Sequence, residues 1–381
     1  MITRADIEAA QGRLTGVIHH TPVERPRGLS RLAGRPVVLK CEHLQRTGSF
    51  KIRGAYNLLS QLEDGVDVVA ASAGNHAQGV ALAASLTGHR ATIYMPATAP
   101  LPKLEATRAY GASVVLVPGP VDDCLIAAKA WAADTNTVFV PPFDDERIIA
   151  GQGTVGLELS AQAPELESVV VPIGGGGLIS GVATAFAHSR RGVKVIGVDA
   201  ADRDGTMADG IRVKSTSELT QAHINAYVDE VIHVDEEAIS QALVVLLERA
   251  KQVVEPAGAA AFAAVLSGLV PGDGAVGVVI SGGNIDPLLL VRVVDHGLSA
   301  AGRYLVLRVI VRDTPGELAR LLGVVAAEGL NVLSVDHHRA GSRVGINQTE
   351  VRLTLETRDP SHRGEVINTV KAAGFDASEA V

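Results

Sequence analysis

The chain has 381 residues and a net charge of −8, and 47% of its residues are hydrophobic while 20% are charged. This composition allows large buried cores and excludes a disordered chain. An acidic chain with 3% aromatic residues and no Lys/Arg cluster is not expected to bind nucleic acid. Two cysteines, Cys41 and Cys124, are too few for a disulfide framework, and no window approaches 18 consecutive apolar residues. We therefore expect a cytoplasmic protein with no membrane partner, and residues 3–8 favour a capped helix over a signal segment.

Short apolar runs alternate with amphipathic segments from residue 37 to about residue 299. Runs that are apolar on both faces are typical of strands buried in a parallel sheet, and the longer segments between them predict helices. The alternation therefore predicts an α/β fold with parallel-type sheets and crossover helices. The predicted strands are 37–39, 67–70, 91–94, 114–117, 168–171, 195–198 and 276–280, and the predicted helices include 76–87, 101–110, 121–133, 178–189 and 236–251.

The pattern changes after residues 298–302, which we interpret as a linker. The order that follows is strand, helix, strand, strand, helix, strand, which predicts a ferredoxin-like βαββαβ unit. We therefore expect two domains, 1–300 and 303–381. The elements of the second domain are predicted at 303–311, 315–328, 331–340, 347–356, 361–373 and in a short last strand.

Lys51 lies in the segment Thr47-Gly48-Ser49-Phe50-Lys51, next to an aromatic residue and close to Ser49, a candidate helix cap. In apolar surroundings a lysine loses its charge by desolvation and becomes a nucleophile or a base. A lysine in a first helical turn is, taken alone, more often a surface residue. The segment indicates a catalytic lysine only in combination with its neighbours.

The segment Ser72-Ala73-Gly74-Asn75-His76 follows a predicted strand and opens a predicted helix. Its small residues would let backbone N–H groups approach an anion, and a helix N-terminus favours a carboxylate. A plain helix cap by Ser72 or Asn75 explains this segment equally well.

Four consecutive glycines, Gly174, Gly175, Gly176 and Gly177, also stand between a predicted buried strand and a helix. The amides of such a loop can wrap a phosphate. Because four glycines cost backbone entropy that a simple turn does not require, the pattern favours a phosphate site over a turn. The segment matches neither a P-loop nor a dinucleotide fingerprint.

Ser281 follows the predicted strand 276–280 and can exchange one hydrogen bond with a ring nitrogen. A strand-to-helix turn explains this serine alone equally well. All four segments, however, follow strands or open helices of one predicted fold, where ligands bind at the carboxyl ends of strands. Their combination is much more specific than any single one.

On these motifs, residues 1–300 resemble the threonine/serine dehydratases, two-lobed pyridoxal-phosphate enzymes of fold type II, the tryptophan-synthase-β fold. The resemblance also includes segments 106–112, 142–144, 208–210 and 254–259. It implies a smaller subdomain inserted at about 67–143. Residues 303–381 resemble an ACT domain, and the whole arrangement is similar to the medium-length threonine ammonia-lyases.

The resemblance implies that Lys51 carries pyridoxal phosphate as a Schiff base and acts as the base at Cα. Ser281 would be a neutral partner of the pyridine nitrogen, which makes loss of a β-hydroxyl the easier reaction. The implied reaction converts L-threonine to 2-oxobutanoate and ammonia, with L-serine as a poorer substrate. The implied cofactor contacts are Phe50, Lys51, Asn75, Gly174, Gly175, Gly176, Gly177, Leu178 and Ser281, and the implied contacts of the substrate carboxylate are Ser72, Ala73, Gly74, Asn75 and His76.

For the ACT-like domain the resemblance implies a regulatory amino acid, isoleucine or valine, at a domain–domain interface. The alternative is an assembly element that binds no effector. Either function is compatible with a homodimer or homotetramer and with isoleucine biosynthesis or catabolism. The candidate effector residues are Asp313, Pro315, Gly316, Leu318 and Asn331.

Other functions stay open. A serine racemase-like enzyme needs a second acid or base opposite Lys51, and such sequences carry a serine where this chain has Ala73. A 3-hydroxyaspartate ammonia-lyase would use the same mechanism with a different pocket for the β-substituent. From another class, the chain could be an inactive amino-acid sensor, although the retained Lys51 and Ser281 argue against it.

The segment after Val198 is shorter than in related enzymes and contains Asp199, Asp202 and Asp204. Three carboxylates could bind a divalent cation. A solvated acidic loop is the commoner explanation of such a run, and we expect no metal site.

Overall fold

The computed structural model describes residues 1–135, 137–189, 192–300, 302–338 and 345–380. Its contacts divide the chain into two compact units, Met1–Leu290 and Val291–Val381. A helix over Pro287–Ala300 includes this division. The expected linker at 298–302 is therefore helical in its first three residues, because the helical spacing of Leu290, Val294 and Leu298 continues into it.

The first unit contains ten strands in the described residues, which form two sheets. In chain order the strands are β1 (Val23–Glu24), β2 (Val37–Cys41), β3 (Val68–Ala71), β4 (Ala91–Pro96), β5 (Ser113–Val117), β6 (Val138–Phe139), β7 (Ser168–Pro172), β8 (Lys194–Ala200), β9 (Glu230–Val234) and β10 (Val276–Ile280).

Helices connect these strands. They are α1 (Arg4–Leu14), α2 (Arg27–Ala33), α3 (Lys51–Leu59), α4 (Asn75–Thr87), α5 (Leu101–Ala109), α6 (Val121–Thr135), α7 (Glu146–Gln162), α8 (Gly177–Ser189), α9 (Glu218–Tyr227), α10 (Glu236–Val245), α11 (Pro256–Leu266) and α12 (Pro287–Ala300). None of the helices in the described ranges combines the length and the apolarity that a membrane span requires.

The larger sheet has six strands in the order β1-β2-β10-β7-β8-β9. All neighbours in it are parallel except the short β1. Every residue of β2, β7 and β10 is buried, as expected for parallel strands that helices cover on both faces. The predicted α/β fold class is confirmed.

The smaller sheet has the order β5-β4-β3-β6 and is entirely parallel. Its strands lie between Val68 and Phe139, within the segment 67–143 that the sequence assigned to a subdomain. Its core also contains Ile52 and Leu58 of α3 and Ile148 of α7. The helix that begins at Lys51 therefore packs with the smaller sheet, although it precedes that segment in the chain.

Local sequence signals explain most of the helix ends. Thr3 caps α1 through a capping box with Asp6. The expected cap by Ser49 is wrong: Phe50 is the N-cap of α3 and makes no side-chain bond, while Ser49 forms an isolated β-bridge with Gly282. The backbone around Ser49 is extended because it joins the end of β10 instead of starting the helix.

The predicted helix 236–251 ends earlier than expected. Helix α10 stops at Val245, a π-helical turn covers Leu246–Ala250, and Lys251 adopts a left-handed conformation with φ 61°. A π-turn inserts an extra residue per turn, which rotates the following backbone. The rotated segment leads directly to Glu255, a residue of the cavity described below.

In the second unit, β11 (Tyr304–Arg312), α13 (Glu317–Ala327), β12 (Val332–His338), β13 (Gln348–Glu356), α14 (Pro360–Ala372) and β14 (Asp376–Glu379) follow one another. The sheet is antiparallel in the order β12-β13-β11-β14. The predicted βαββαβ order is confirmed, with bounds within two residues except where the strand predicted at 331–340 extends outside the described residues.

Candidate active site

The carboxyl ends of strands from both parallel sheets meet at one cavity of about 190 Å³. Ser281 follows β10, the glycine loop follows β7, and Ser72 follows β3, which is where α/β proteins bind ligands. The cavity is lined by Phe50, Lys51, Ala71, Ser72, Ala73, Gly74, Asn75, His76, Lys103, Val121, Pro142, Phe143, Gly175, Asp209, Gly210, Arg212, Val213, Glu255, Ala257 and Ser281.

The cavity thus brings together nine of the residues that the sequence singled out for the site. They are Phe50, Lys51, Ser72, Ala73, Gly74, Asn75, His76, Gly175 and Ser281. Leu178 instead is buried in the core of the larger sheet.

Lys51 is the first residue of α3, and its amine points into the cavity. The Nζ atom donates a hydrogen bond to the Pro142 carbonyl oxygen at 3.0 Å and lies 5.1 Å from the centre of the Phe50 ring. Burial disfavours the ammonium form and lowers the pKa of Lys51 to about 8, against an opposing effect of the Glu255 carboxylate. The amine is therefore available as a base close to neutral pH.

Glu255 is a functional candidate that the sequence analysis did not assign. It is buried, and its Oε1 atom accepts a hydrogen bond from Asn75 Nδ2 at 2.6 Å. Burial raises the pKa of its carboxyl group, while Lys103, Asn75 and Lys51 act in the opposite direction. Its partner Asn75 is 180 residues away in the chain, so no local pattern marks the pair, although the segment 254–259 contributed to the resemblance.

Asn75 is held by both ends of its amide group. Its Oδ1 atom accepts a hydrogen bond from Asn284 Nδ2 at 2.8 Å, and Asn284 donates also to the Thr47 carbonyl oxygen. An amide nitrogen carries two hydrogens, so the bond to Glu255 leaves one for a ligand. The side chain is thereby fixed in orientation at the edge of the cavity.

The loop before α4 contains no side-chain cap. Gly74 is the N-cap residue, and Ser72 Oγ accepts a hydrogen bond from the Gly74 amide. The cap explanation with Ser72 or Asn75 is therefore wrong. A helix that starts without a side-chain cap presents its first amides to a ligand, which suits an anion.

His76 contributes to this loop with its backbone and not with a charge. Its ring is fully buried, and Nε2 donates to the Val140 carbonyl oxygen at 2.9 Å. Burial and the neighbouring Lys51 charge lower the pKa of His76 to about 3. The imidazole is neutral at physiological pH.

The glycine loop is packed so closely that side chains are excluded. A Cβ atom on Gly175 would overlap the Phe143 ring, and one on Gly174 would lie 2.7 Å from the Gly210 carbonyl oxygen. Gly176 has φ +89°, a conformation that favours glycine. The loop is therefore a defined cradle at the start of α8.

Ser281 lies at the end of β10, and its Oγ atom donates a 3.4 Å hydrogen bond to the Ala257 carbonyl oxygen. It is buried and lines the cavity. Its hydroxyl can rotate and offers a neutral donor or acceptor to a ring nitrogen.

Two charged neighbours complete the cavity, and neither was assigned from the sequence. Lys103 on α5 and Asp209, in the loop after β8, form an ion pair of 3.4 Å between Nζ and Oδ2. Arg212 contacts the same carboxylate group at 3.1 Å. These residues occur in segments that carried the resemblance, but their pairing is visible only in three dimensions.

The three aspartates of the short segment do not converge on a common point. Arg203 pairs with Asp199, while Asp202 accepts hydrogen bonds from the amides of Asp204 and Gly205. Within the described ranges, no three His, Cys, Asp or Glu side chains form a group that could hold a metal ion.

The candidate effector residues are separated in the second unit. Strands β11 and β12 both run antiparallel to β13, so they are parallel to each other. Asp313, Pro315, Gly316 and Leu318 follow the end of β11, whereas Asn331 precedes the start of β12. A nine-residue strand is roughly 30 Å long, so a single chain does not bring the two segments together.

The cavity fits a phosphorylated, aromatic carbonyl cofactor. The glycine loop supplies a cradle that any Cβ atom would fill, and Lys51 supplies a buried amine of lowered pKa. Ser281 supplies a neutral partner for a ring nitrogen, and Asn75 a donor for an oxygen. Together these groups match the functional groups of pyridoxal phosphate.

Comparison with known proteins agrees with this chemistry. The family profile of pyridoxal-phosphate dependent enzymes matches residues 14–282, and that of the ACT domain matches residues 305–375. The chain therefore belongs to the pyridoxal-phosphate dependent enzymes, and its C-terminal unit is an ACT domain.

Individual relatives narrow the comparison. The chain is 46% identical to an L-threonine ammonia-lyase of Thermotoga maritima, over 99% of both chains. It is similar to a solved threonine deaminase from the organism abbreviated T.th., with 40% identity and a TM-score of 0.71, covering 75% of this chain and 99% of that one. A maize serine racemase structure is 34% identical with a TM-score of 0.73, covering 78% and 98%.

Proposed function

We propose that the protein is a threonine ammonia-lyase that converts L-threonine to 2-oxobutanoate and ammonia, with L-serine as a poorer substrate. The observation that carries the proposal is the buried amine of Lys51, with its pKa lowered to about 8, between a glycine cradle and an uncapped helix start. The two relatives named for threonine, at 46% and 40% identity, support this substrate.

Each wall of the cavity has a task in this reaction. Bound pyridoxal phosphate supplies an electron sink that acidifies the Cα–H bond of an amino acid. The Ser72–His76 loop binds the substrate carboxylate through its amides and thereby fixes the orientation of Cα. The Gly174–Gly177 loop would hold the phosphate, and Asn75 and Ser281 would hold the ring.

Lys51 Nζ takes the proton from Cα, which it can do because burial keeps a large share of the amine neutral near pH 8. That proton and the hydroxide from Cβ together make one water. The enamine product takes up water again and loses ammonia, which leaves 2-oxobutanoate. Because Ser281 carries no charge, it does not hold a proton on the ring nitrogen, which favours this elimination over reactions that need a long-lived carbanion.

The racemase alternative is weaker because Ala73, which lines the cavity, has no proton to give. The neutral His76 ring is committed to Val140. The 3-hydroxyaspartate alternative would place a second carboxylate in a cavity that already contains Asp209 and Glu255. Like charges at this distance repel, which supports a substrate with an uncharged side chain.

The test is the release of 2-oxo acid by the purified protein with pyridoxal phosphate. L-threonine, L-serine and 3-hydroxyaspartate are offered separately to the natural protein and to Lys51→Ala. We expect turnover of threonine above serine, and a loss of at least roughly 10³-fold in Lys51→Ala. Turnover of 3-hydroxyaspartate alone would change the substrate, and no 2-oxo acid from any of them would favour the sensor alternative.

We propose further that the ACT domain binds a branched-chain amino acid at a site completed by a second copy of the chain, in a homodimer or homotetramer. The separation of Asp313 and Asn331 in one chain supports a shared site. Strand β12 is an edge strand and exposes Leu333 by 52%. An exposed apolar edge favours pairing with another chain.

Calorimetric titration of the full-length protein with isoleucine and valine tests the effector site. We expect Asn331→Ala and Asp313→Ala each to abolish binding while mixed heteromers of the two variants regain a share of the sites. An assembly element without effector would bind neither amino acid at millimolar concentration.

The cellular location is a proposal from the cysteines. Cys41 and Cys124 are free and buried, and burial raises the pKa of Cys41 to about 12. Such thiols are inert and need no oxidising compartment, which is compatible with the cytoplasm.

A further inference from the structure

Lys103 is a cavity residue that the proposed reaction does not yet use. It is the third residue of α5, and only 12% of its side chain is exposed. Its partner Asp209 is at 3.4 Å, a longer distance than the 2.6 Å of the neighbouring pair Lys214–Asp122. Both pairs join the helices of the smaller sheet to the loop between β8 and α9. The Lys103 pair is the looser of the two, although it is the more buried one.

The ammonium group of Lys103 lies at the loop that binds the carboxylate. A Cβ atom built on Gly74 would be 3.6 Å from Lys103 Nζ. Gly74 is the N-cap of α4, whose first amides present a site for an anion. A carboxylate that accepts from these amides is therefore within reach of Lys103.

Other cations of the cavity are less suited to this anion. Lys51 is needed as a neutral base at Cα, and His76 is neutral and hydrogen-bonded to Val140. Arg212 has a side chain that is about half exposed and contacts Asp209. Lys103 is thus the buried cation placed directly beside the loop.

We propose that Lys103 binds the α-carboxylate of the substrate, and that Asp209 is the counter-ion which Lys103 leaves when an amino acid enters. The inference rests on the proposed function in one respect, namely that the ligand of this cavity is an amino acid. In the exchange Asp209 keeps Arg212 as its partner, so neither carboxylate is left without a cation. The exchange makes recognition depend on the charge of the carboxylate and not only on its shape.

The experiment measures binding of L-alanine and of L-alaninamide to the full-length enzyme with pyridoxal phosphate, by calorimetry. Alanine has no β-hydroxyl to lose, and its amide lacks the negative charge. We expect Lys103→Met to weaken alanine binding by roughly 10- to 100-fold, the range for a charge-assisted hydrogen bond. The same variant should leave alaninamide binding unchanged, and Lys103→Arg should retain alanine binding within a few-fold.

Lys214→Met is the matched control, because Lys214 also joins the two parts of the cavity wall through an ion pair, but with a side chain that is 79% exposed. We expect this variant to bind alanine as the natural protein does. Equal losses in Lys103→Met and Lys214→Met, or equal losses for alanine and alaninamide, would show that Lys103 only stabilises the wall and would overturn the proposal.

Asp209→Asn provides a test in the opposite direction. Removing the competing carboxylate should tighten alanine binding, whereas a role as a mere clamp predicts weaker binding. If alanine binding depends on Lys103 but threonine is not turned over, the inference stands and only the proposed substrate is wrong. If the natural protein binds no amino acid, both are overturned.

Discussion

The side chain of Lys51 lies in surroundings that decide its protonation state. Full burial favours the neutral amine, and the nearby Glu255 carboxylate opposes this effect. Desolvation is the larger of the two, so the pKa falls to about 8 instead of rising. A base of this pKa can take a proton at the pH of most cells, which an ordinary lysine cannot do efficiently.

We predict that an amine-reactive reagent modifies Lys51 of the cofactor-free protein with a pH midpoint of about 8, because only the neutral amine reacts. Mass spectrometry of the Lys51 peptide over a pH series from neutral to strongly alkaline measures the rate. In Glu255→Gln the midpoint should move below that of the natural protein, since the carboxylate that favours the ammonium form is gone. A midpoint near that of free lysine in solution (~10.4) would contradict the assignment.

Single residues of the site differed in how far the sequence could predict them. Lys51, the glycine loop and Ser281 each belong to a continuous segment with its own chemistry, so they were found. Glu255 and Lys103 act through Asn75 and Asp209, partners that are 180 and 106 positions away. Spacing along the chain contains no signal for such pairs, and only the folded structure shows them.

Helix α3 is the element that holds Lys51, and a buried ionic network fixes it. Arg53 donates to both oxygens of Glu42 and to both oxygens of Glu158, at distances of 2.6–2.9 Å. Lys40 on β2 donates to the same Glu158 at 2.6 Å. Two cations and two carboxylates balance each other without solvent, which ties α3 to β2 and α7.

Glycines allow the same helix to approach its neighbours closely. A Cβ atom on Gly151 of α7 would lie 2.5 Å from the Arg53 carbonyl oxygen, and one on Gly79 of α4 would lie 3.1 Å from the Lys51 carbonyl carbon. Close packing on two sides and the ionic network therefore leave α3 little freedom. The position of the Lys51 amine follows from this restraint.

We predict that Glu158→Gln lowers the free energy of unfolding by about 3–5 kcal/mol, because it leaves Arg53 and Lys40 buried with one carboxylate in place of two. The melting temperature should fall by several degrees in a thermal scan of the full-length protein. Glu8→Gln removes the exposed pair with Arg4 and is the control, with an expected change below about 1 kcal/mol. Equal shifts in the two variants would mean that the buried network adds little.

Elements were predicted well where one periodicity covers the whole segment. The buried strands and the elements of the ACT domain follow from apolar runs and alternation. The end of α10 did not, because the apolar pattern of 236–251 continues through the π-turn while the backbone changes its hydrogen bonding. Tertiary packing around Glu255 decides that change, and periodicity does not report it.

At the scale of the whole molecule, the cavity exists because two parallel sheets direct their carboxyl ends at one place. The larger sheet supplies the glycine loop and Ser281, and the smaller sheet supplies the carboxylate loop. Lys51 starts the helix that packs with the smaller sheet but follows β2 of the larger one in the chain. The alternating pattern predicted the α/β class, whereas the separation into two sheets came from the family resemblance, since strand order is not encoded in local periodicity.

The central claim is that this cavity eliminates water and ammonia from threonine. Proton NMR of L-threonine with the purified enzyme and pyridoxal phosphate in D₂O tests it most directly, because it follows substrate, products and the α-proton together. We predict 2-oxobutanoate and ammonium in equal amounts as threonine disappears. Exchange of the α-proton for deuterium or formation of D-allothreonine, without any 2-oxo acid, would contradict it.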